Sequence, residues 1–313
     1  MPPARPLVAA PSKGAPPGEA QSASEDAPET PDGWPSDLAS LRAELDRIDD
    51  SIHDLLMRRA EVVAQVANSA SKTTSRVPLR PGREAAIIRR LLARHTGALP
   101  PLTLVRLWRE LLAGTTAIQR EFRVAVFDTE AGGEMIAAAR EQFGALTPLQ
   151  AYHTPGQALA ALAAGAVSVA VLPLPDEAQA WWTALLETQE PRLHVVARLP
   201  FWAPRPEGAP LAEALVVAPI APDASGQDRT LIGLALHGET PRARIASTLR
   251  EAGFEPHVIV AAEAKPEDGA DVLIEIDGFV AETASPISEL TQALGAKAIV
   301  LGAYAVPITG EAG

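Results

Sequence analysis

The chain has 313 residues, 47% of them hydrophobic, with 27 basic and 39 acidic side chains, a formal charge of −12 and no cysteine. This length accommodates two or three small domains with real cores, and the missing thiols exclude disulfides and thiolate metal sites. Overall acidity argues against a nucleic-acid partner, the longest apolar runs fall short of a membrane span, and a reducing cytoplasm fits.

Residues 1–36 are rich in Pro, Ala, Ser, Gly and acids without apolar periodicity, and read as a disordered tail. They lack the basic-then-apolar layout of a signal peptide, and Glu19, Glu25, Asp26 and Glu29 argue against a transit peptide. Trp34-Pro35-Ser36-Asp37 then announces a helix, with Ser36 or Asp37 as its cap. Three helices are predicted, over about 38–70, 82–95 and 101–121. Pro78, Pro81 and Gly82 break the first gap, and Gly97, Pro100 and Pro101 the second. Residues 38–122 carry 14 basic against 9 acidic side chains, leaving 13 against 30 elsewhere. A local arginine surplus in an acidic chain suits a small anionic ligand, although solvated helix faces account for it equally well.

After Arg123 short apolar runs alternate with helical stretches. Strands are expected at 123–128, 148–152, 168–173 and 193–199, and helices near 134–143, 155–165 and 177–187, which implies a parallel α/β sheet. A proline-rich crossing leads to a strand at 213–219. Residues 228–236, 240–252, 254–262, 271–277, 285–294 and 298–303 then read as βαββαβ, the ferredoxin-like order. The loop Asp128–Glu134 (DTEAGGE) opens a helix as an anion cradle would, but its three acids favour an ordinary βα turn.

The first helix contains the sharpest clue. Leu38, Leu41, Leu45, Ile48, Ile52 and Leu55 keep strict three-four spacing, and the next positions are Arg59, Val62 and Val66. Arg59 therefore interrupts an apolar seam. A guanidinium cannot shed its charge, so once buried it requires an anion. The alternatives are snorkelling to solvent or pairing with an internal acid. Arg42 stands 17 residues earlier, roughly 25 Å along a helix axis, so one straight helix cannot bring both to one small molecule. In the third helix the seam Leu104, Trp108, Leu111, Thr115, Ile118 and Phe122 is broken by Thr115, with Gln119 one turn further on the same side.

The stretches LRAELDRIDDSIHDLLMRRAEVVAQV, PLRPGREAAIIRRLL and LVRLWRELLAGTTAIQ together resemble the all-helical (type II) chorismate mutases. The resemblance implies an intertwined homodimer of three-helix chains with two shared active sites and no cofactor. It makes Arg42 the arginine donated to the partner's site and Arg59 the one that binds a substrate carboxylate. Arg83 and Glu84 supply contacts from the second helix, Thr115 replaces a serine, and Gln119 faces the ether oxygen of chorismate. The family's lysine is replaced by Ala70, which leaves Lys72 as the candidate substitute if the helix has ended by then.

The implied chemistry suits these residue types. A one-step pericyclic rearrangement to prephenate needs a dicarboxylate held in a folded shape and charge stabilised on the ether oxygen. Arginine forks do the first, and Gln119 with a cation does the second.

Residues 123–226 are similar to a truncated prephenate dehydratase: FRVAVFDTEAGGEMIAAAREQFG matches its opening strand, loop and helix, and AGAVSVAVLPLPDE a substrate-binding strand. VVARLPF then passes almost directly to ALVVAP, skipping a second lobe, and Leu211-Ala212-Glu213 stand where the family has Thr-Arg-Phe. Loss of dehydratase activity is the expectation. Residues 227–313, from DRTLIGLAL to IVLGAYAVP, resemble an ACT regulatory module, with His237-Gly238-Glu239 in its first loop.

The expected organisation is therefore multi-domain: tail 1–36, intertwined all-α domain 37–122, α/β lobe 123–226 and ferredoxin-like module 227–313. The expected function is chorismate rearrangement, without nucleic acid or membrane. Its rival is an impaired protein that senses chorismate or prephenate, or docks onto and regulates another shikimate-pathway enzyme, and a ligand-free dimerisation module would leave Arg59 unexplained.

Overall fold

The computed structural model describes residues 37–70, 77–128, 133–187, 190–236, 240–262 and 269–310. The tail 1–36, Lys72, the centre of the Asp128–Glu134 loop and His237-Gly238-Glu239 lie outside the described residues, as does the side chain of Ala70. Two compact units divide the chain, Met1–Met57 and Arg58–Gly313.

Helix α1 spans Leu38–Ala70. The Asp37 carboxylate accepts the backbone N–H of Ser40 at 3.0 Å, an N-cap that also holds this acid below its ordinary value. In the first unit the α1 seam is open to solvent, with Leu38 63%, Ile52 49% and Leu55 66% exposed. A monomeric soluble helix normally buries such a stripe.

In the second unit, α2 (Pro81–Leu92) and α3 (Pro101–Gln119) each begin on a proline, whose missing N–H costs a first turn nothing. The sequence expectation ran α2 on to residue 95. The last turn ends instead at Leu92, with His95 Nε2 2.6 Å from the Leu99 carbonyl oxygen in the turn that follows.

Next come β1 (Val124–Phe127), α4 (Glu134–Phe143), β2 (Leu149–Tyr152), α5 (Pro155–Ala163) and β3 (Val169–Pro173). The helical crossovers make these three strands parallel, in the order β2-β1-β3. The helix expected at 177–187 is only a 3₁₀ turn, Trp181–Leu185. Asp176 accepts the N–H groups of Ala178 and Gln179, closing an Asx turn that competes with helix initiation.

Strands β4 (His194–Leu199), β5 (Trp202–Ala203) and β6 (Ala214–Ala218) follow. β4 keeps the sense of β1–β3, as expected, and the strand expected at 213–219, whose direction the sequence left open, comes between β3 and β4. β6 lies antiparallel between β3 and β4, because the proline-rich return from β4 contains no crossover helix.

The last segment builds β7 (Asp228–Ala235), α6 (Arg242–Glu251), β8 (Pro256–Ala261), β9 (Asp271–Asp277), α7 (Ser285–Leu294), β10 (Lys297–Ala305) and β11 (Ile308–Thr309). Its antiparallel order β10-β7-β9-β8 is the ferredoxin-like arrangement read from sequence.

The segments on either side of residue 226 share one nine-stranded sheet, β2-β1-β3-β6-β4-β10-β7-β9-β8. The seam is narrow: β10 pairs with β4 at Gly302 and Val195. A Cβ on Gly302 would stand 2.0 Å from the Val195 carbonyl oxygen, and its φ of +148 suits glycine. Side chains reinforce the join. The Tyr304 hydroxyl donates to Glu275 at 2.6 Å and accepts from Arg198 at 3.4 Å, while Arg229 donates to Glu275 at 2.6 Å. Burial and the Glu275 charge push the Tyr304 hydroxyl above its ordinary value.

Helices α2 and α3 pack on this α/β body. Ala85, Ile88, Val105 and Leu112 share a core with Phe201, Trp202 and Ala305. No described helix is long and apolar enough to cross a membrane.

Candidate functional site

The structure brings Arg59 and Thr115 together. Arg59 Nη1 donates to Thr115 Oγ1 at 3.3 Å. The hydroxyl itself lies 2.9 Å from the Leu111 carbonyl and 3.0 Å from that of Leu112, so it is free to accept while it donates back into its own helix. Gln119 stands one turn on, its amide donating to the Thr115 carbonyl at 3.2 Å. Arg59 and Gln119 are half-buried, and Thr115 is buried.

Burial draws the Arg59 guanidinium below its ordinary value without removing its charge. Among the described residues no carboxylate lies within ion-pair distance of it. The seam arginine of the sequence reading is therefore a half-buried cation whose only polar contact there is a neutral hydroxyl.

Glu84 and Arg83 start α2. Glu84 Oε2 accepts from Arg109 Nη1 at 3.2 Å, and both side chains are largely enclosed. Burial raises the carboxyl above its ordinary value, and Arg109 opposes that only in part. The Arg109 guanidinium also lies 4.6 Å from the centroid of the Phe201 ring. Arg83 is exposed, and its backbone N–H donates to the Asp223 carboxylate at 3.2 Å. Arg42 is exposed in the other unit, and Lys72 lies outside the described residues.

Sequence reasoning missed Arg109 because it chose another face of α3. The buried side runs Val105, Arg109, Leu112 and Thr116, whereas Trp108 and Leu111 are half-buried and Ile118 is 55% exposed. The missed signal has the same form as the one found in α1: an arginine in an apolar row with three-four spacing. Asp223, which touches the start of α2, left no local signal at all, being 141 positions from Gly82.

Residues 41–120 match the family described as chorismate mutase type II. The bifunctional chorismate mutase/prephenate dehydratase of Stutzerimonas stutzeri is 30% identical over 146 residues, covering 45% of this chain and 40% of that protein. The protein of the same description from Pseudomonas aeruginosa is 29% identical over 149 residues, again 45% and 40%. The chain thus spans less than half the length of these relatives, although each alignment is longer than the family match. Among solved structures, prephenate dehydratase from Streptococcus mutans superposes with a TM-score of 0.46 at 16% identity, over 59% of this chain and 98% of that one. Residues 41–120 are a chorismate mutase type II domain.

Proposed function

We propose that the protein converts chorismate to prephenate, in the cytoplasm, as a homodimer with shared sites. One observation carries this reading: half-buried Arg59 faces a hydroxyl with no acidic partner among the described residues, one helical turn from a half-buried glutamine. A cation left so needs an anion, and a substrate carboxylate supplies one.

In this scheme Arg59 binds one carboxylate, with Thr115 fixing the guanidinium plane. Gln119 exchanges its bond to the Thr115 carbonyl for one to the ether oxygen, where charge grows as the C–O bond breaks. Arg42 of a second copy grips the substrate from the other side, Arg83 and Glu84 add contacts from α2, and Lys72 supplies the cation that Ala70 lacks. Residues 123–226 serve as a prephenate dehydratase-like lobe without that activity, and residues 227–313 as an ACT-like module. The test is the loss of chorismate absorbance with purified protein. No turnover at any pH between 5 and 9 would refute the reading. Phenylpyruvate formed from prephenate above the spontaneous rate would refute the inactive lobe.

A second reading has support in Ala70 and in the engagement of Glu84 by Arg109. Here the site binds chorismate or prephenate without transforming it. Calorimetric binding with no turnover would select it.

A further inference from the structure

Helix α2 is held from a distance. Arg80 at its start provides no side-chain cap. The cap comes from Asp223 instead, whose carboxylate accepts the N–H of Gly82 at 2.9 Å and of Arg83 at 3.2 Å, and the Arg80 guanidinium at 3.2 Å. These are first-turn donors that the helix cannot satisfy itself. The approach is close enough that a Cβ on Gly82 would lie 2.0 Å from the Asp223 carbonyl oxygen.

Two turns along, Arg89 makes a second anchor. It donates to Ser225 Oγ at 2.8 Å, to the Gln227 carbonyl at 3.1 Å and to the Val306 carbonyl at 2.6 Å. The acceptor segment is itself pinned, since the Asp228 carboxylate takes the N–H groups of Ser225 and Gly226. Asp228 opens β7 and pairs with Ala305 at the end of β10. The segment leading into β7 and the residue after β10 therefore hold the helix that carries Arg83 and Glu84.

We propose that Asp223 and Arg89 are positioning residues for the mutase site, so that residues 223–228 and the ends of β7 and β10 are part of its working scaffold. The proposal rests on the mutase reading above. Its physical basis is that a distant loosening which displaces binding groups by an ångström is felt in binding and rate, while the fold survives.

The test uses full-length Asp223→Ala and Asp223→Asn, the second of which keeps one acceptor for Gly82. Asp223→Ala is expected to raise KM for chorismate about tenfold with kcat changed less than about threefold, and Asp223→Asn to fall between it and wild type. Hydrogen exchange at the Gly82 and Arg83 amides is expected to quicken at least about tenfold in Asp223→Ala, with β7 and β9 unchanged. Faster exchange with KM within about twofold of wild type would reduce Asp223 to a structural cap and overturn the proposal. Unchanged exchange would overturn the anchor itself. If Asp223→Ala does not fold, Asp223→Asn and Arg89→Lys carry the same readouts, and unchanged KM in both overturns the proposal. A wild-type protein that neither turns over nor binds chorismate would sink the mutase reading and this proposal with it, whereas an active wild type confines any failure to the positioning role.

Discussion

At the scale of single residues, two arginines in apolar rows have opposite fates. Arg59 faces a hydroxyl and no acidic partner among the described residues, while Arg109 is closed in by Glu84 and the Phe201 ring. Arg59→Ala is expected to cut kcat/KM at least about 100-fold while circular dichroism and sedimentation stay at wild-type values. Arg59→Lys should recover little of that, because an ammonium lacks the planar fork. Near-wild-type turnover in either variant would end the assignment of Arg59. Arg109→Met leaves the Glu84 carboxylate enclosed without a cation, and should cost about 3–5 kcal/mol in urea denaturation at neutral pH. Glu84 already has a folded-state pKa raised above its ordinary 4.5. The folded chain therefore holds that proton more tightly than the unfolded one. The associated stability is complete below 4.5 and is lost as pH climbs through the raised value. Removing Arg109 raises the value further, so the variant's deficit should grow with pH and be smallest near the acid end. A deficit independent of pH would show that Phe201 stacking, not the ion pair, holds Arg109.

Among the elements, β10 is vulnerable to a single change at Gly302, which joins it to β4 at a point where a Cβ meets backbone. Gly302→Ala should cost about 3 kcal/mol and move the midpoints read by tryptophan fluorescence and by circular dichroism to lower urea together, since the core around Trp181 and Trp182 reaches Leu231, Leu301 and Tyr304 across the join. Coincident curves at the wild-type midpoint would refute it. Most elements were legible in the sequence because their periods are local: α4 and α7 begin and end where prolines and glycines put them, and α1 begins at its Asp37 cap. The Arg59, Thr115 and Gln119 grouping was legible for the same reason, as each breaks or flanks an apolar row. What stayed hidden depends on partners far along the chain. The antiparallel placement of β6, the fusion of two expected sheets into one and the burial of Arg109 under Phe201 are set by docking, which no window of sequence contains. The choice of face on α3 failed because both sides are apolar, one buried on the sheet and the other still half open.

For the whole molecule, the open stripe of α1 and the arginine arithmetic lead to the same experiment. Arg42 and Arg59 are roughly 25 Å apart by helical rise, so a site that uses both draws them from two chains. Mixing inactive Arg42→Ala with inactive Arg59→Ala chains puts both lesions in one site of a heterodimer and leaves its other site intact. Co-expression is expected to restore activity to as much as half the heterodimer sites. Demonstrated heterodimers without recovered turnover would mean that each chain builds its own site. With Leu38, Ile52 and Leu55 exposed, the proposed dimer predicts a thermal midpoint that rises with protein concentration. A midpoint unchanged across a hundredfold dilution would argue against a dimer.

The remote cap on α2 has a consequence for how the chain is born. Gly82 and the aspartate that caps it are separated by 141 positions. At ribosomal speeds of about 5–20 residues per second, α2 emerges on the order of ten seconds before its cap exists. During that interval the Gly82 and Arg83 amides have water as their partner, and α2 waits, uncapped, for a carboxylate made 141 residues later.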